Sequence, residues 1–135
     1  MTTSWMKLYT YRIGDNPSRT IGVDSEGQMV VESSTNLTVL KEPKDYFVLL
    51  TVLETDRMQF DSIMNGKVEN DKINKLKREL FICGLTVSSY WSELVIDWID
   101  IKDINEEIKE LLKSALSNTS IDQKLRHRVR MLIKA

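Results

Sequence analysis

The chain has 135 residues, a formal net charge of −1 and 41% hydrophobic residues, so one domain of this size can bury about 65 to 70% of its unfolded surface without staples. The near-balanced charge excludes a global electrostatic attraction to nucleic acid or anionic membrane and leaves only local patches to weigh. A sole cysteine, Cys83, and a sole histidine, His127, exclude an intrachain disulfide and a Cys/His zinc site built from this chain alone.

No window approaches the ~18 consecutive apolar residues of a membrane span. The opening MTTSWMKLYTYRIGDNPS has no basic stretch followed by an apolar one, so a cytoplasmic setting without a membrane is expected. Asn36-Leu37-Thr38 and Asn118-Thr119-Ser120 match the glycosylation acceptor pattern. That pattern has meaning only in a secreted chain, and here these residues are expected in turns and caps.

From Ser4 to Ile13 the sequence alternates, with Trp5, Tyr9, Tyr11 and Ile13 on one side and Met6, Leu8, Thr10 and Arg12 on the other, which suits a pleated strand. After the breaker GDNPS, the runs Arg19 to Val23 and Gln28 to Glu32 are joined by DSEG, where Gly27 supplies the positive φ of a tight hairpin. Leu37 to Leu40 offers a fourth strand. The period changes after Pro43: Tyr46, Leu49, Leu50, Leu53, Phe60 and Met64 recur at helical spacing, and Asn65-Gly66 closes the segment. This predicts a helix, with a break near Thr55. A buried strand over residues 46–54 is the competing reading, because Val48, Thr51 and Val52 are β-branched.

The next helix is expected from Asn70 to Cys83, ended by Gly84. A third begins at Ser88 or Ser89 and carries Tyr90, Trp91, Leu94, Val95, Trp98 and Ile99 on a wide apolar face. Its other side holds Glu93, Asp97 and Asp100 at i, i+4 and i+7, which at ~100° per residue places all three carboxylates within one narrow stripe. A fourth helix is expected after Asp103 as cap, with Ile104, Ile108, Leu111, Leu112 and Ala115 facing inward. The capping-box pattern Ser120-Ile121-Asp122-Gln123 opens the last helix, whose apolar arc is Ile121, Leu125, Val129, Leu132 and Ile133.

The fold class is therefore α+β: an antiparallel meander of three to four strands over residues 1–41, then four to five helices over residues 42–135, in one domain. No residue constellation indicates catalysis, a metal or a cofactor. His127 has no local serine, cysteine or carboxylate motif, and Cys83 reads as a small core residue. Two surface readings remain. Glu93, Asp97 and Asp100 with Tyr90, Trp91 and Trp98 suit docking of another protein, of basic character, as in an inhibitor, immunity-type protein or adaptor. Alternatively Lys124, Arg126, Arg128, Arg130 and Lys134 of the last helix contact nucleic acid. The plainer view of that basic helix is that Glu106, Glu107 and Glu110 of the preceding helix answer its charges.

Overall fold

The computed structural model describes residues 5–34 and 36–134. The chain divides into two compact units, with the boundary between Leu76 and Lys77. The first opens with the four-stranded antiparallel sheet, β1 Trp5–Tyr11, β2 Arg19–Asp24, β3 Met29–Ser33 and β4 Asn36–Val39, paired in sequence order. Ser4, expected in the first strand, lies outside the described residues. At its other end β1 stops at Tyr11, because the GDNPS turn already holds Ile13, whose carbonyl accepts the Asn16 N–H at 3.1 Å.

The pairing corrects one detail of the alternation. Lys7 faces Gly22 but Tyr9 faces Ile21, so Leu8 is an extra residue in β1. This bulge shifts the side-chain phase, and Leu8 and Tyr9 are both buried where strict alternation placed them on opposite faces. Between β2 and β3 the Asp24 carboxylate accepts the N–H groups of Glu26 and Gln28, each at 2.9 Å, and Gly27 takes φ +80°. The hairpin expected from DSEG is present.

Pro43–Glu54 is helical and not a strand, but it is a 3-10 helix. With three residues per turn, Tyr46, Leu49 and Val52 line up in one row and Leu50 and Leu53 in the next, and all five are buried. The apolar spacing thus fits a period of three over this stretch. Polar groups secure both ends: the Asp45 carboxylate accepts the N–H groups of Lys41 and Glu42 at 3.0 and 2.8 Å, and the Thr55 hydroxyl donates to the Val52 carbonyl at 2.6 Å. The expected break follows at Thr55. Asp56 then caps α1, Arg57–Met64, by accepting the Met58 N–H at 3.0 Å. Phe60 of α1 meets Tyr9 of β1 edge-on at 5.6 Å, which joins this helix to the sheet.

Helix α2 runs from Asn70 to Val87, past Gly84, which was expected to end it. Gly84 is buried inside the helix, and the Ser92 hydroxyl donates to the Gly84 and Leu85 carbonyls at 3.3 and 3.4 Å. Glycine ends a helix only where the chain leaves the helical region, and here that happens at Ser88, which is extended at φ −163°.

In the second unit, Ser88 caps α3, Ser89–Trp98, by accepting the Trp91 N–H at 3.4 Å. A 3-10 turn, Ile101–Asp103, leads to α4, Glu106–Ala115, and α5, Gln123–Ile133, closes the fold. Two caps differ from the sequence expectation. Asn105, and not Asp103, caps α4 by accepting the Ile108 N–H at 2.8 Å, and Asp122 starts α5 by accepting the Lys124 N–H at 2.7 Å. Asp103 serves the preceding turn instead, accepting the Asp100 N–H at 3.0 Å. Ile108, Leu112, Val129 and Leu132 are buried, so the inward arcs of α4 and α5 are largely as expected, and α5 packs on both α3 and α4. Among the described residues, no helix is long and apolar enough to cross a membrane.

Candidate functional site

The acidic stripe is divided in the structure. Helix α3 ends at Trp98 and Ile99 is extended at ψ 144°, so Asp100 leaves the helical spacing that would have aligned it with Glu93 and Asp97. Glu93 is used internally, its carboxylate accepting the Asp122 N–H at 3.3 Å at the start of α5, where a negative charge is favoured. Asp100 caps the 3-10 turn through Oδ1, which accepts the Ile101 N–H at 2.9 Å. Asp97 is exposed and makes no hydrogen bond or ion pair among the described residues.

The aromatics also part company. Trp98 is buried and meets Phe81 edge-on at 6.3 Å, which makes it a core anchor. Tyr90 is 53% exposed and stands edge-on to the half-buried Trp91 at 4.9 Å. Of the three, Tyr90 presents the largest share of its surface to a partner.

The basic residues of α5 divide by function. Arg128 donates from Nε to the Ile96 carbonyl at 2.7 Å and from Nη2 to the Ile99 carbonyl at 2.6 Å. These are carbonyls that the end of α3 leaves without helical partners, so Arg128 is a C-terminal cap supplied by another helix. Arg126 donates from Nη1 to the Asn118 carbonyl at 3.0 Å, and Asn118 in turn donates to the Ser89 hydroxyl at 2.8 Å and accepts from Ser120. Asn118 and Ser120 are thus turn residues, as expected. The compensation foreseen from α4 is not made: Glu110 pairs with Lys113 of its own helix at 3.2 Å, and no carboxylate of α4 pairs with α5 among the described residues. Lys124, Arg130 and Lys134 remain exposed and free of ion pairs among those residues.

What the fold assembles from both candidate sets is one groove. Asp97, Asp100 and Ile101 from the end of α3 and the turn after it, and Lys124, His127 and Met131 from α5, line a volume of about 440 Å³ that also reaches Arg128 and Leu132. Ile101 is 56% exposed and Met131 62% exposed. Two large apolar side chains are thus left in water in one groove that also holds the Asp97 carboxylate, the kind of exposed apolar surface that suits contact with a partner. Ile101 and Met131 were not singled out in the sequence. Met131 carried a faint signal, since it is apolar yet falls outside the inward arc of α5.

Cys83 is buried, and that burial pushes its thiol above the usual cysteine value, which suppresses the nucleophilic thiolate. Among the described residues no cluster of three or more His, Cys, Asp or Glu side chains could hold a metal ion. Comparison with protein-family models, with curated proteins and with solved structures found no match to this chain.

Proposed function

We propose that this chain is a small protein-binding module, of the inhibitor, immunity-protein or adaptor kind, working in the cytoplasm through the groove of its second unit. One observation carries the reading: exposed Ile101 and Met131 line one groove together with the unpartnered Asp97 carboxylate. The complementary partner presents an apolar side chain next to a lysine or arginine, so that burial supplies affinity and the carboxylate selects and steers it.

The test is capture from native cytosol by the tagged chain, with mass spectrometry and nucleic-acid detection on the same eluate. The Asp97→Asn/Met131→Ser double variant is expected to lose the captured protein, while Glu106→Gln/Glu107→Gln, on exposed α4 positions, keeps it. With the partner purified, neutralising Asp97 and Asp100 slows association several-fold at low salt and flattens its salt dependence. Capture unaffected by the groove variant would remove the proposal.

A second reading rests on Lys124, Arg130 and Lys134, which remain exposed and unpaired. On that reading the eluate holds nucleic acid, and its binding falls with salt at a slope of ~0.9 per phosphate neutralised on duplex DNA. Arg126 and Arg128 add little to it, since their guanidinium groups already serve backbone carbonyls.

A further inference from the structure

The first unit holds a second pocket, of about 330 Å³, at the end of the sheet where Tyr11, Arg19 and Ser33 lie on neighbouring strands. Among the described residues Arg19 is its one charged group. The guanidinium donates from Nη1 to the Val48 carbonyl and to the Thr51 hydroxyl, the latter at 3.1 Å. Those contacts, with the neighbouring Tyr11 hydroxyl, hold the side chain in place. Among the described residues no aspartate or glutamate lines the pocket, and Arg19 is in no ion pair. A half-buried guanidinium whose contacts are all to neutral groups keeps its full positive charge for a carboxylate, which its planar fork matches.

We propose that this pocket binds a small organic monocarboxylate, with Arg19 holding the carboxylate and Ile13 and Pro17 covering the organic part. Three features select this class. The pocket carries one positive charge, which neutralises a monoanion and leaves a dianionic phosphate with an unanswered charge. Around it stand the neutral hydrogen-bonding groups of Ser33, Asn36 and Tyr11. Burial pushes the Tyr11 phenol above its ordinary value, so at neutral pH it is not a competing anion, and its hydroxyl, 2.9 Å from the Thr51 hydroxyl, helps to fix Arg19. The apolar Ile13 and Pro17 give an aliphatic group a surface that inorganic phosphate does not use.

The experiment is an amide chemical-shift titration of the full chain with isobutyrate, with isobutyramide and inorganic phosphate at matched ionic strength. Saturable shifts centred on Arg19, Ser33 and Asn36 are expected for isobutyrate, with a Kd of about 1 to 10 mM for so few contacts. Arg19→Gln weakens binding by about tenfold or more. If Arg19→Gln disturbs the sheet, Ser34→Asp serves in its place: Ser34 lines the pocket at φ 53°, a backbone region aspartate tolerates, and the new carboxylate repels the ligand. Equal shifts with isobutyramide, tighter binding of phosphate, or binding that survives Ser34→Asp would each overturn the proposal.

Discussion

At the residue scale, the informative side chains are those that serve backbone groups. Two N–H donors, those of Glu42 and Lys41, hold the Asp45 carboxylate below the ordinary aspartate value. A depressed carboxylate contributes stability that is fully present above the ordinary value and is lost as pH falls through the lower, folded one. Asp45→Ala is therefore less stable than the native chain at neutral pH, and the gap narrows on acidification below pH 3.8, read from urea unfolding at a series of pH values. Arg128 is the stronger case. Replacing it with alanine leaves the Ile96 and Ile99 carbonyls without that donor, which costs about 1 to 3 kcal/mol. Arg128→Lys restores less than half of this, because one ammonium does not reproduce the planar fork. A loss no larger than that of exposed Arg130→Ala, measured in the same unfolding assay, would refute the capping role.

At the element scale, the close approach of β1 and β2 depends on Gly22. A Cβ there would overlap the Met6 carbonyl oxygen and the Trp5 ring, and the carbonyl cannot move without disturbing the strand pairing. Gly22→Ala is expected to cost about 1 to 3 kcal/mol by overpacking, seen as a lower urea midpoint, although alanine favours strand and helix over glycine. The elements themselves were legible wherever periodicity was strong: the meander, the break at Thr55 and the inward arc of α5 follow from local spacing. Less legible were the bulge at Leu8, the 3-10 form of Pro43–Glu54 and the continuation of α2 through Gly84. The first and last depend on what lies opposite in space: the partner strand for Leu8, and Ser92 for Gly84.

At the scale of the whole molecule, helix α2 runs unbroken across the boundary between the two units, with Ile73 and Leu76 buried before it and Leu80 and Phe81 after it. We propose that the chain nonetheless unfolds as one domain, since severing the units requires breaking this helix in its middle. In urea, the amide signals of Val30 and Val31 in β3 and those of Val95 and Ile108 in α3 and α4 should then disappear with a common midpoint. Separate midpoints would show two independent domains.

The sequence by itself determined the order of the elements and the kind of those with strong periodicity, because hydrogen bonding within a helix and alternation along a strand are set by neighbours a few positions away. It also located Asp97 and the basic residues of α5 as surface groups. Which of those groups are free was decided only by tertiary structure. Arg128 is placed against carbonyls 29 and 32 positions away, and Glu93 against an N–H 29 positions away. No local spacing encodes such pairings. They arise when α3 and α5 pack together, and the same packing that consumes Glu93, Arg126 and Arg128 leaves Asp97, Ile101 and Met131 open to solvent around a groove.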